Sequence, residues 1–328
     1  MPRTNATFML LVCAARLVLS RTLHEPIDTR PPWISVFTTL ITDAHSFDQK
    51  MAIQQNTLLA LQSMHPFVDV TVYTNSTTGE LVCQRLNLRC SADFDVNSHG
   101  TPLLKSMFLG TENRTSAYFY GYLNADILFD SSLLSTLSLV RRAIESTRLT
   151  PRALVVGRRL NYNMSASDVD SSALDFKSAS DVASAIRAMR QNADLFTNYA
   201  LDFFFVTRSA FNWTSVPDFV VGRRGYDNWL VDHAHHTGVS VVDATQTLAP
   251  VHQTGVDGNK AGHRELADGD WNIDLVNRTG GGYDHGAACD AAWMTVVKNN
   301  KSLLVRRRRP GTDAECLTVK AALRPRTL

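Results

Sequence analysis

Between Tyr118 and Asp130 the chain reads YFYGYLNADILFD, an aromatic and aliphatic run broken by Asn124-Ala125-Asp126 and resumed as Ile127, Leu128 and Phe129. Apolar residues on both sides of the break argue for a strand covered on both faces, as in a parallel sheet. A carboxylate at the end of such a strand is costly to bury without a partner. A hard divalent cation is one suitable partner, since it takes carboxylate and amide oxygens. Capping of the following turn by the Asp126 side chain is the alternative. Two further carboxylates occupy comparable settings: Asp202 opens LDFFFVT, and Asp227 lies in Gly225-Tyr226-Asp227-Asn228. A carboxylate facing a reacting hydroxyl can take its proton. Asp227 can equally cap a helix over 228–236, and Asp202 can pair with an arginine such as Arg223 or Arg224. His252 in APVHQ is either a metal or anion contact or a loop histidine satisfied by a carbonyl. His233, His235 and His236 in DHAHH do not converge at helical spacing and read as a solvated helix end.

The elements that position these residues follow from periodicity. Trp33–Ile41 is β-branched and aromatic and reads as a first strand, with a polar loop at Thr42, Asp43 and Ser46. Ala52, Leu58, Leu59, Leu61 and Met64 fit an amphipathic helix, and Val68–Thr74 a second strand ending in a turn around 75–79. Strand, helix and strand in that order open an α/β sheet. Gly100-Thr101-Pro102 precedes an apolar helical pattern, with the proline in its first turn. Helices are then expected over Leu133–Ile144, Val182–Met189 and Asn228–His236. Strands are expected over Tyr118–Leu123, Ala153–Gly157, Leu201–Thr207 and Val239–Asp243, with a polar loop at 161–172. From Ala249 onward loops and glycines dominate. One α/β domain with an irregular C-terminal region is the economical reading.

At 328 residues the chain can bury a sizeable core, and a net charge of +2 gives no global reason to expect nucleic acid or a membrane surface as partner. Arg306–Arg309, the one basic block, reads as part of a solvated tail. Arg3 and the apolar run from Phe8 to Ala15 read as a cleaved signal peptide in preference to a weak type II anchor. Arg16 ends the run well short of the ~20 residues that span a bilayer. Asn-x-Ser/Thr sequons begin at Asn5, Asn75, Asn113, Asn163, Asn212, Asn277 and Asn300, the pattern of a glycosylated lumenal protein. Without Cys13, four cysteines remain, and of the three connectivities Cys83–Cys90 with Cys289–Cys316 is preferred. No CxxC pair supports zinc.

The order of features resembles a GT-A type nucleotide-sugar glycosyltransferase. The resemblance rests on the βαβ opening, the hydrophobic strand ending in a DxD-like Asn124-Ala125-Asp126, the carboxylate in Gly225-Tyr226-Asp227-Asn228, and the late His252. It spans roughly Trp33 to Trp293. It implies a GT-A-like, mostly parallel Rossmann-like sheet flanked by helices in a single main domain over 33–295. A signal peptide or weak anchor (1–20), a stem (21–32) and a basic tail (296–328) would complete the chain. It implies transfer of a sugar, of hexosyltransferase type, from a nucleotide-diphosphate donor to a glycan or protein hydroxyl, in the ER or Golgi lumen or after secretion. The cofactor would be Mn²⁺ or Mg²⁺ at Asp126 and His252, with Asn124 a weaker ribose or metal contact. Thr38, Thr39 and Asp43 would sit where such folds hold base and ribose, and Lys105 would reach a phosphate. Asp227 would be the base or an acceptor contact, with Asp202 orienting acceptor hydroxyls and Tyr226 and Trp229 stacking on sugar faces.

Asn124 in place of the first acid removes a charge. That motivates the alternative of a secreted carbohydrate-binding or catalytically degenerate relative. A sugar nucleotidyltransferase on a similar sheet is a third reading, and the secretory features count against it. No GxxxxGK[ST], GxGxxG or GxSxG is present, so NTPase, dinucleotide-enzyme and α/β-hydrolase readings have no motif.

Overall fold

A computed structural model describes residues 33–42, 47–164, 176, 178–255, 258 and 266–311. The signal, the stem, Asp43 and most of the basic tail lie outside the described residues. The strands are β1 (Ile34–Thr39), β2 (Val68–Tyr73), β3 (Arg89–Ser91), β4 (Phe119–Leu123), β5 (Ile127–Leu128), β6 (Ala153–Val156), β7 (Leu160–Asn163), β8 (Asp194–Leu195), β9 (Phe203–Thr207), β10 (Ser240–Asp243), β11 (Val251–Thr254), β12 (Trp293–Lys298) and β13 (Lys301–Arg306). The helices are α1 (Phe47–Gln62), α2 (Thr77–Leu86), α3 (Leu104–Arg114), α4 (Ser132–Glu145), α5 (Ala179–Arg190), α6 (Tyr226–His236), α7 (Thr245–Leu248) and α8 (Trp271–Thr279).

Nine strands form the central sheet in the order β13-β12-β10-β6-β9-β4-β1-β2-β3. Five of its pairings are parallel, and β9 runs antiparallel to both β4 and β6. This is the mostly parallel sheet flanked by helices that the sequence predicts. Side chains alternate faces along each strand. In β4, Phe119 and Leu123 enter one core while Tyr120 and Tyr122 enter the other; in β9, Phe203 and Phe205 oppose Phe204 and Val206 in the same way. Helices α1 and α4 cover the first face through Leu58, Leu61, Leu133 and Leu137, and α3 and α6 cover the second through Met107, Phe108 and Leu230. Each fully buried phenylalanine here contributes about 1.5–3 kcal/mol.

Reversal of β9 is what builds the site. The residue that precedes β9 lies on the same edge of the sheet as the residues that follow β4. Accordingly, the Asn124 N–H donates to the Asp202 carbonyl at 2.9 Å. A second sheet, β5-β11-β7-β8, stands on that edge. In it β11 pairs antiparallel with β5, placing His252 opposite Ile127.

Several expectations are corrected. The turn at 75–79 is the start of α2. Gly79 lies against Thr74 so closely that a Cβ would sit 2.3 Å from its Oγ1, so the glycine marks helix packing and not a turn. Pro102 precedes α3 and bridges Val96 instead of occupying the first helical turn. The loop expected from Asn161 begins as β7, held by parallel pairing with β11. Beyond Ala249 the chain is more regular than expected. Strands β12 and β13 form a hairpin through Asn299 and Asn300, whose φ values of 51° and 58° suit a two-residue turn. The expected domain boundary at 295/296 therefore falls inside β12. Arg307 is not part of a solvated tail: it pairs with Asp243 Oδ2 at 2.5 Å and donates to the Ala288 and Ala291 carbonyls.

Cys83 and Cys90 form the expected disulfide. Cys289 is also disulfide-bonded, and its expected partner Cys316 lies outside the described residues. No helix among the described residues is long and apolar enough to cross a membrane.

Candidate functional site

Asn124 and Asp126 sit in the short turn between β4 and β5, where the Ile127 N–H returns to the Asn124 carbonyl at 3.2 Å. β11 delivers His252 across this turn. Its Nε2 lies 3.2 Å from Asp126 Oδ2, and the Gln253 N–H donates to the Asp126 carbonyl at 2.9 Å. The other imidazole nitrogen, Nδ1, is 3.0 Å from Thr254 Oγ1, which fixes the ring. Burial pushes the Asp126 carboxyl up, but the charge and hydrogen bond of His252, with Arg159 and Lys50 behind it, hold it below the usual range. Its Oδ1 is buried and has no hydrogen-bond partner among the described residues. Asp126 therefore does not cap the turn; it is one half of a carboxylate–imidazole pair with one oxygen unpartnered among the described residues.

Asn124 behaves differently. Tyr122 Oη donates to its Oδ1 at 2.8 Å, and its Nδ2 donates to Asp202 Oδ1 at 2.8 Å. Both ends of the amide are engaged, which orients Asp202. Asp202 is paired through Oδ2 with Arg159, a 5% exposed guanidinium, and not with Arg223 or Arg224 as one reading of the sequence had it. Those two hold Asp268 and Asp270 instead. Arg159 also donates to Asn161 Oδ1 and packs over the Phe196 ring. Sequence reading missed Arg159, because the dipeptide Arg158-Arg159 carries no motif and only the small sheet turns it inward.

Asp227 lies in the first turn of α6, whose N-cap is Gly225. It is not a helix cap. Its Oδ2 accepts from the Leu201 N–H and its Oδ1 from the Gly225 N–H, both at 3.3 Å. Burial pushes its carboxyl up to about 7, with the charge of Asp202 adding to the effect and backbone donors opposing it. The flanking aromatics are core: Tyr226 packs on Tyr122 and Phe204, and Trp229 stacks on His233 with centroids 4.4 Å apart. At 4% and 7% exposure neither presents a face for stacking on a ligand.

The remaining expected residues divide. Thr38, next to last in β1, lies at this edge, but its hydroxyl is buried and spent on the Leu123 carbonyl at 2.7 Å. Lys105 pairs with Asp218 at 2.5 Å and makes no described contact with the Asp126 cluster. Asp43 lies outside the described residues. His233 stacks on Trp229 while His235 and His236 both face the His285 ring, at 6.0 and 6.3 Å, so the three do not converge on one site, but with His235 half-buried this is not the solvated helix end expected from the sequence.

Among the described residues no group of three or more His, Cys, Asp or Glu side chains is placed to hold a metal alone. Asp126 and His252 nevertheless fit a divalent cation that takes its other ligands from a bound phosphate and water, the usual manner of Mg²⁺. The buried, unpartnered Asp126 Oδ1 is the observation that favours this fit.

Solved structures align with parts of this chain. A mannosyltransferase from Pyrobaculum calidifontis, in complex with GDP-Man and Mn²⁺, aligns with 73% of this chain and 63% of its own, at 11% identity and a TM-score of 0.42. A protein described as a nucleotide-diphospho-sugar transferase, from Desulfovibrio desulfuricans G20, aligns with 75% of this chain and 97% of its own, at 8% identity and a TM-score of 0.37. TarS of S. aureus, in complex with UDP-GlcNAc, aligns with 39% of this chain and 34% of its own, at 13% identity and a TM-score of 0.26. The chain thus spans less than two thirds of the mannosyltransferase and about a third of TarS. No family model and no curated protein matches it. Likenesses at these identities and TM-scores carry no argument about this chain, and the candidate site residues stand on their own geometry.

Proposed function

We propose that this protein is a glycosyltransferase that moves a sugar from a nucleotide-diphosphate donor to a hydroxyl of a glycan or glycoprotein. The observation that carries the reading is a pair of carboxylates on one edge of the sheet with opposite electrostatics. Asp126 is held ionised beside His252 with an unpartnered oxygen, and Asp227 is buried with its carboxyl raised to about 7. Environments that push two like groups apart mark different chemical tasks.

In the transfer, the bond from the anomeric carbon to the diphosphate oxygen breaks, and its electron pair leaves with the nucleotide. The acceptor oxygen forms the new bond, and its proton passes to Asp227. A divalent cation at Asp126 and His252, Mn²⁺ or Mg²⁺, would stabilise the charge gathering on the diphosphate. Asp202 is held by Arg159 and Asn124, so its carboxylate has a fixed position from which to meet sugar hydroxyls. Thr39, half-buried at the end of β1, lies on the same edge and suits the nucleotide.

We also place the protein in the secretory lumen. The Cys83–Cys90 disulfide and the exposure of Asn75, Asn113, Asn163, Asn212, Asn277 and Asn300 support that placement, and a mobility shift on endoglycosidase treatment tests it.

Nucleotide release from a panel of UDP- and GDP-sugars with Mn²⁺ tests the transferase reading. Release accelerated by p-nitrophenyl glycosides and lost in Asp126→Ala is the expected result. Metal-dependent donor binding with no release would favour the second reading, a carbohydrate-binding protein without turnover. The full engagement of the Asn124 amide, which leaves one carboxylate where the resemblance has two, motivates that reading.

A further inference from the structure

The segment from Gly280 to Gly286 is clasped against α6. Asn228 Nδ2 donates to the Gly286 carbonyl at 2.9 Å, and the His285 N–H donates to Asp232 Oδ1 at 2.9 Å. Gly281 has φ 115°, and a Cβ there would sit 2.7 Å from Trp229 Nε1. Only a glycine adopts that backbone and lets the chain cross the indole so closely. The crossing delivers Tyr283 to the loop that begins α6. Its hydroxyl is 3.1 Å from the position a Cβ would take on Gly225, the residue whose N–H holds the Asp227 carboxylate.

That hydroxyl is buried and has no hydrogen-bond partner among the described residues. Native proteins pair nearly all such groups, and one left unpaired costs about 1–3 kcal/mol. A phenylalanine would fill the same space without that cost. Burial first, then the Asp227 charge, push the phenol well above its ordinary range, so it keeps its proton and remains a donor. Nothing in the packing of the segment uses the hydroxyl. The charges it faces are that of the candidate base, Asp227, and, opposing it, that of Arg224.

We infer that Tyr283 binds the acceptor, its hydroxyl donating to an acceptor oxygen adjacent to the hydroxyl that Asp227 deprotonates. The inference rests on the transferase reading and adds the acceptor class: a compound with two neighbouring oxygens, as in a sugar diol, one for each residue. Sequence reading overlooked the residue because Gly280-Gly281-Gly282 reads as loop.

The test is Tyr283→Phe in the full chain, comparing donor hydrolysis with transfer to p-nitrophenyl glycosides, alongside thermal unfolding. The expected result is a rise of about tenfold in acceptor KM, equivalent to one lost hydrogen bond. Donor KM and donor hydrolysis should stay within about twofold, and the melting temperature should be unchanged or higher. Unchanged acceptor KM in an active variant would overturn the inference while leaving the transferase reading intact. A lowered melting temperature with donor and acceptor kinetics falling together would also overturn it, since the hydroxyl would then be structural. Wild-type protein that neither hydrolyses nor transfers any donor would remove the underlying reading, and this inference with it.

Discussion

Asp126 and Asp227 are the same side chain on the same edge of one sheet, yet their surroundings drive them in opposite directions. Asp126 meets an imidazole, brought by β11, from 126 positions later in the chain, and its carboxyl is held low. Asp227 meets backbone donors, burial and the charge of Asp202, and its carboxyl rises to about 7. The first environment suits a permanent anion that binds a cation. The second suits a group that gains and loses a proton near neutrality. Asn124 and Arg159 both contact Asp202; the Arg159 charge acts on Asp126 and the Asp202 charge on Asp227.

Asp126→Ala should lower transfer by more than about 10³-fold and abolish the metal dependence of donor binding, as read by calorimetry with UDP or GDP and Mn²⁺. Asp227→Asn should lower the transfer rate by about 10²–10³-fold with donor affinity unchanged, as read from steady-state kinetics. The wild-type rate should rise with pH through about 7, and the variant should lose that limb.

Arg159→Met should cost about 3–5 kcal/mol of stability by leaving Asp202 buried without its partner, as read by denaturant unfolding. Adding Asp202→Leu should recover much of that loss.

The smallest effect sharpens the contrast. The folded carboxyl of Asp227 titrates near 7 and the unfolded one near 3.8, so the native state binds this proton more tightly. The stability it contributes is complete below the unfolded value and is lost as pH rises toward 7. Asp227→Asn should therefore stabilise the protein by about 1–3 kcal/mol at pH 8 and not at pH 4, where the substitution only weakens one of two backbone contacts.

Most of the sheet was legible because its strands carry their burial in their composition. Residues 119–123 and 203–207 are aromatic on both faces, and the structure buries both faces. Of the candidate site residues, Asp126 and His252 do come together. What could not be read was polarity and pairing. Nothing in LDFFFVT says that it runs against its neighbours, and that reversal is what places Asp202 beside Asn124. Arg159 became a site residue only through the small sheet. Tyr226 and Trp229 had the composition of a ligand-stacking pair, but a helix start packed against β4 and β9 has room for them only as core. The C-terminal hairpin was obscured because its outer positions are lysine and arginine, and an Asn299-Asn300 turn is a weaker signal than Asn-Gly.

The most direct test is calorimetric titration of UDP and GDP into wild-type protein and Asp126→Ala, each with Mn²⁺ and with chelator. The account predicts that one nucleotide binds the wild type in the presence of Mn²⁺. That binding should weaken at least tenfold with chelator, and the variant should show the weakened affinity under both conditions. Equal, metal-independent binding by wild type and variant would contradict it, because Asp126 would then hold neither the cation nor the diphosphate.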